Sequence, residues 1–146
     1  MSQSPELIKL YSARILGLAA DIPHLGRLAT PDARVKKRSP LCGSTVTVDL
    51  TMREGRVEQF AQDVKACALG QASASVLGQV VIGCSADELE MAARQLEAML
   101  KTEAPVPDAP FDGYAVLLPA RDFRNRHASI LLAVQAAAEA ARQATV

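Results

Sequence analysis

Two cysteines and one late histidine are the side chains best able to do metal or sulfur chemistry in this sequence. Cys42 stands in Ser39-Pro40-Leu41-Cys42-Gly43-Ser44. A lone cysteine is most often a small buried hydrophobe. Here Pro40 and Gly43 put the thiol on a turn, and the glycine lets a bulky ligand approach the backbone. Cys67 precedes a run of small residues, Ala68, Gly70, Ala72, Ser73, Ala74 and Ser75. A thiol just before a helix faces unpaired N–H groups and the positive dipole end, which favour the thiolate that ligates metal or accepts sulfur. The same run also reads as a tight helix–sheet contact, and both readings can hold together. His127 lies in Arg124-Asn125-Arg126-His127-Ala128-Ser129, at the start of a helix, where a lone histidine is more often a capping or surface residue than a ligand.

The elements around the thiols explain why they belong together. Thr45-Val46-Thr47-Val48-Asp49-Leu50 alternates as a strand does, within a segment from Gly43 to Met52. Arg56 to Lys65 alternates again through Val57, Phe60 and Val64, and Glu54-Gly55 between the two is a tight-turn signal. Cys42 lies 12 positions before Glu54 and Cys67 lies 12 positions after Gly55. An antiparallel hairpin on that turn brings both thiols to its distal end. Ala33 to Ser39 is a short basic strand completing a meander. Its Arg34, Lys36, Lys37 and Arg38 read as an edge guarded against aggregation or as a docking surface for an acidic partner.

Helical spacing governs the rest. Leu7, Ile8, Tyr11, Ile15, Leu16 and Ala19 predict a helix from Pro5 to about Ala20, and a second runs from Ala68 to about Ile82 before Gly83. Ser85 and Glu88 form a capping-box pattern that opens a helix to about Lys101. Three prolines between Glu103 and Pro110 mark a loop, Phe111 to Leu118 is ordered but of undetermined type, and a last helix runs from about Arg124. The expected fold is α+β, a three-stranded antiparallel sheet with an N-terminal helix and C-terminal helices packed on it, in one domain over 1–146. Cys84 is separated from Cys67 by mostly helix, about 20 Å or more at 1.5 Å per residue, and reads as a helix-junction residue. His24, beside Pro23 in a loop, reads as a surface residue.

Composition narrows the function classes. Sixteen Lys+Arg balance sixteen Asp+Glu, so no overall field favours nucleic acid or an anionic membrane. Aromatic residues are scarce, Trp is absent, and no apolar run approaches the ~20 residues of a membrane span. The first twenty residues carry charges within their apolar stretch, unlike a signal peptide. An odd number of cysteines without an export signal points to free thiols or ligands rather than a disulfide framework. A soluble cytoplasmic protein is expected.

Three segments together resemble a known family. Cys42-Gly43-Ser44, then Lys65-Ala66-Cys67-Ala68-Leu69-Gly70-Gln71-Ala72-Ser73-Ala74-Ser75, then Arg126-His127-Ala128-Ser129 are similar, in that order, to the NifU N-terminal/IscU iron–sulfur scaffold family. The middle segment is especially close to its SufU branch. The resemblance runs from about Pro5 to Ala141. It implies a non-enzymatic carrier that takes sulfur from a cysteine desulfurase, assembles a [2Fe–2S] cluster and passes it to apo iron–sulfur proteins. By the family pattern Cys42 and Cys67 match two ligands and His127 the histidine. Ser44 stands where the family usually has Asp, and Ala128 where it usually has a third Cys. The SufU branch lacks that histidine and keeps the third Cys, so the sequence mixes two patterns.

Those departures shape the expectations. Clusters normally take four thiolate or imidazole positions, and the matched set supplies Cys42, Cys67 and His127, with Ser44 lining the site. Water, a partner's side chain or a second subunit would complete it, in a monomer or a homodimer. Two thiols and an imidazole also suit Zn²⁺ with one open position. The alternative reading is therefore a degenerate member that binds zinc or iron as an accessory or regulatory module for a desulfurase. A Cys–His thiol enzyme ranks last, because nothing supplies the orienting acid or oxyanion loop it wants.

Overall fold

Alternating side chains build the sheet at the centre of the molecule, whose computed structural model describes residues 11–145. β1 (Ala33–Arg38), β2 (Thr45–Arg53) and β3 (Arg56–Lys65) pair antiparallel in sequence order. Glu54 and Gly55 take φ values of 53° and 77°, the left-handed pair that a two-residue hairpin turn requires. The β2–β3 register runs from Thr45 opposite Lys65 to Arg53 opposite Arg56, with one irregularity between Thr51 and Met52. That irregularity shifts the distal register by one residue, so Cys42 and Cys67 are not in direct cross-strand register. Both nevertheless lie just beyond the same end of the hairpin.

The helices follow with small changes of boundary. Of the helix expected from Pro5, the described part is α1 (Ala13–Ala20), which Ser12 caps by accepting from the Ile15 N–H at 3.3 Å. The Pro5 end lies outside the described residues. α2 (Ala68–Val80) has Cys67 as its N-cap residue. α3 (Ala86–Lys101) opens with both halves of the capping box, Glu88 N–H to Ser85 Oγ at 3.1 Å and Ser85 N–H to Glu88 Oε1 at 2.9 Å. Phe111–Asp122 is a 3₁₀ segment that buries Phe111, Tyr114, Leu117 and Ala120. Their spacing of three matches the three residues per turn of that helix, a period present in the sequence but distinct from the α period. α4 (Arg124–Thr145) closes the fold.

α4 is the central element. It lies over β1 and β2 and touches α2, α3 and the 3₁₀ segment. Val35, Val46, Val48 and Leu50 are buried on the sheet face beneath it, against a helix whose Ile130, Ala133, Val134, Ala137 and Ala141 are also buried. Alanines at the contact let backbones approach closely. The opposite sheet face carries Asp49, fully buried, which accepts from Arg27 Nε, Arg34 Nε and the Leu28 N–H at 2.9, 2.6 and 3.0 Å. Burial alone pushes that carboxyl up, but the hydrogen bonds from Arg34, Arg27 and Leu28 hold it down to about 2. The observed architecture is the α+β arrangement that the sequence implies, with helices on one side of a three-stranded sheet.

Candidate metal and sulfur site

The first thiol is set by a tight loop. Ser39 N–H donates to Ser44 O at 2.8 Å and Gly43 N–H to Ser39 O at 2.9 Å, and Gly43 takes φ 72°, which is why β2 begins only at Thr45. Cys42 is thereby held at the exposed tip over two buried hydroxyls, Ser39 and Ser44. Its Sγ lies 3.4 Å from Ser39 Oγ and 3.0 Å from Ser44 Oγ. Hydrogen bonds from the Ser39 hydroxyl, then from the Ser44 hydroxyl and its backbone N–H, stabilise the charged sulfur and draw the thiol down to about 7. At neutral pH Cys42 is therefore substantially thiolate, the nucleophilic and metal-binding form.

Cys67 is half-buried at the start of α2, with φ −67° and ψ 170°. Its thiol makes no hydrogen bond to the first-turn N–H groups of α2. It faces Ser129 instead, Sγ to Oγ 3.4 Å. That contact depends on the small residues after it. A Cβ on Gly70 would fall 2.6 Å from Ser129 Oγ and 2.8 Å from Ala66 Cβ, so only glycine lets α4 pass this close. One turn further on, Ser73 Oγ donates to Ile130 O at 2.6 Å, and Ser75 Oγ donates to Asp21 O at 3.2 Å. The serines of the small-residue run thus tie α2 to α4 and to the loop after α1.

Ser129 joins the two thiols. Its hydroxyl donates to Ser44 Oγ at 3.2 Å. Each hydroxyl has one proton, so with Ser129 donating to Ser44, the remaining donors run one way. The Cys67 thiol donates to Ser129, Ser129 to Ser44, and Ser44 to the Cys42 sulfur. Ser39 and Ser129 were missed as site residues in the sequence reading. Ser129 had one available signal: at about 100° per residue, positions 127 and 129 lie on nearly opposite sides of a helix and cannot both face Cys67.

The structure places His127 accordingly. It is 4% exposed, and its Nε2 lies 2.9 Å from Ala120 O and 3.1 Å from Arg121 O. Carbonyls only accept, so Nε2 carries a proton and donates to both. The structure thus brings Cys42, Ser44 and Cys67 together, and ties His127 to the end of the 3₁₀ segment. Among the described residues no group of three His, Cys, Asp or Glu side chains converges as a metal cage. Cys84 is elsewhere, 4% exposed between α2 and α3, its Sγ donating to Val80 O at 3.1 Å and its thiol pushed up to about 11 by burial.

The family profile of the NifU-like N terminal domain matches residues 10–116. The chain belongs to this family. It is similar to the crystal structure of a nitrogen-fixing NifU-like protein (N-terminal) from Brucella abortus, at 47% identity and a TM-score of 0.92 over 96% of this chain and 97% of that one. It shares its fold with a putative iron–sulfur cluster assembly scaffold protein for the SUF system from Fervidobacterium islandicum, at 19% identity and a TM-score of 0.79 over 91% and 97% of the two chains. A hypothetical protein solved at 2.3 Å resolution is 27% identical with a TM-score of 0.76, over 92% and 98%. No curated protein matches. Among the described residues no helix is long and apolar enough to cross a membrane.

Proposed function

We propose that the chain is a single-domain scaffold or carrier for iron–sulfur assembly, a binding protein rather than an enzyme. In this reading it receives sulfur from a cysteine desulfurase, holds iron or a [2Fe–2S] cluster as cargo, and passes it to apo iron–sulfur proteins in the cytoplasm. The observation that carries the reading is the linked pair of thiols, Cys42 and Cys67, joined through Ser44 and Ser129 at one end of the hairpin. Soft sulfur donors suit iron–sulfur chemistry, and the exposed Cys42 thiolate is placed to accept sulfur. Cys42 and Cys67 are the ligands, Ser44 lines the site, and His127, whose Nε2 is engaged with the carbonyls of Ala120 and Arg121, offers Nδ1 as its ligating atom. Water, the recipient protein or a second subunit completes the coordination.

A second reading has its own observation. Two thiols and two neutral hydroxyls gather here, with serine in place of the family's usual carboxylate and no third thiol nearby, so the chain can equally be an accessory module holding zinc or iron and regulating the desulfurase.

Anaerobic reconstitution with ferrous iron, sulfide and a cysteine desulfurase separates them. Visible cluster absorption that is lost in Cys42→Ala and in Cys67→Ala supports the scaffold. Colourless protein with stoichiometric Zn²⁺ supports the accessory module. Metal retained after both cysteines are replaced overturns the site.

A further inference from the structure

The free edge of β1 is a second place where this surface is built to receive a ligand. Ser39 N–H bonds Ser44 O across the loop. In the register Lys37–Val46, Val35–Val48 and Ala33–Leu50, the residues whose polar backbone groups face β2 recur at every second position. Those of Arg34, Lys36 and Arg38 therefore point away from β2, and β1 has no other strand beside it. An edge of this length, about 20 Å for six residues, is a template for one more strand.

A cleft of about 560 Å³ runs beside that edge. Lys36 to Pro40 form one wall, and Lys101 of α3 with Arg124, His127 and Leu131 of α4 belong to the other. Five cations, Lys36, Lys37, Arg38, Lys101 and Arg124, line it against one anion, Glu97. Lys37 is paired with Glu139 and Lys101 with Glu97, each at 3.3 Å. Among the described residues Lys36, Arg38 and Arg124 have no ion-pair partner. In a chain of zero net charge this is a local concentration of positive potential along an unpaired strand.

We propose that the β1 edge docks an extended acidic peptide segment of a partner protein, added as a fourth strand beside β1. The backbone edge supplies hydrogen bonds and the cations supply the preference for Glu and Asp. A second copy of this chain is a poor occupant, because its own basic β1 would place like charges opposite Lys36 and Arg38. The inference does not rest on the thiols and stands whether or not they carry a cluster.

The test uses the full chain and a fluorescein-labelled peptide of alternating Glu and Val, seven residues long, read by anisotropy at physiological salt. Two further peptides carry N-methyl groups on one or the other set of alternate amides. Saturable binding is expected, weakened at least about tenfold by one methylated set but not by the other, because a single set of amides faces the strand. Lys36→Glu combined with Arg38→Glu, both exposed side chains, weakens binding comparably. Arg53→Glu, at the far end of β2, leaves it unchanged. Equal binding of all three peptides, equal loss in Arg53→Glu, no binding, or a homodimer through β1 that the peptide cannot displace each overturns the proposal.

Discussion

Ser129 Oγ lies 3.2 Å from Ser44 Oγ although 85 positions separate them in sequence. This contact ties the loop that carries Cys42 to α4, whose Ser129 also meets Cys67 at the start of α2, and it exists because Gly70 lets α4 lie against the first turn of α2.

Cys42 is expected to be the most reactive thiol, with a pH profile set by its hydroxyl partners. A lowered value means thiolate above about 7 and loss of reactivity as pH falls through about 7. Alkylation by iodoacetamide, followed by mass spectrometry across pH 5 to 10, is expected to show that midpoint. Ser39→Ala moves it upward toward the ordinary 9.0, while buried Cys84 stays unmodified. An unchanged midpoint in Ser39→Ala removes the hydrogen bond as the cause.

Ser129→Ala tests the link between thiols. The hydroxyl bridges two polar partners in a nearly dry position, so its loss is expected to cost about 1 kcal/mol in chemical denaturation. The Cys42 midpoint rises slightly, since Ser129 contributes to lowering it. Iron binding in the reconstitution assay falls while circular dichroism stays native.

Gly70→Ala places a methyl group against Ser129 Oγ and Ala66 Cβ. Overpacking of a close helix contact is expected to destabilise the fold by about 1–3 kcal/mol, visible as a lower thermal midpoint. Gly17→Ala is the control, because nothing lies within 4 Å of a Cβ there.

Asp49 predicts an acid-sensitive step on the face opposite α4. Its folded value is depressed to about 2 from 3.8, so its contribution is complete above the unfolded value and is lost as pH falls from about 4 through about 2. Urea unfolding at stepped pH is expected to show stability dropping in that window. Asp49→Asn is less stable at pH 7 and flatter between pH 4 and 2. A mutant as steep as the natural chain assigns the step to other carboxylates.

His127 is expected to carry a proton on Nε2 in the metal-free protein, which heteronuclear NMR of the ring nitrogens reads directly. Donation to Ala120 O and Arg121 O requires it. The other tautomer contradicts the assigned hydrogen bonds. A metal that recruits His127 shifts the Nδ1 signal, whereas a metal held by the thiols alone leaves the ring unchanged.

Much of this was legible in sequence because it is local. The Glu54-Gly55 turn, the capping box at Ser85 and Glu88, and the alternation through Val46, Val48 and Leu50 are each set by a few neighbouring residues, and the structure matches them closely. The period of three through Phe111, Tyr114, Leu117 and Ala120 was also present, but it belongs to a 3₁₀ helix and not to the two common periods. A bulge between Thr51 and Met52 is different, since it depends on pairing across the whole hairpin.

By itself the sequence determined the order of elements, the two thiols beyond one end of a hairpin, and a run of small residues suited to a close contact, which reads as helix against sheet but in the structure meets α4 instead. Only the tertiary structure decided which way α4 is turned. Its rotation follows from contacts far apart in the chain, Gly70 with Ser129 and Ser73 with Ile130. It puts Ser129 between the thiols, sends His127 to the carbonyls of Ala120 and Arg121, and sets the helix wall that faces the open edge of β1. A helix has a face in sequence, but what that face meets is settled by everything packed around it.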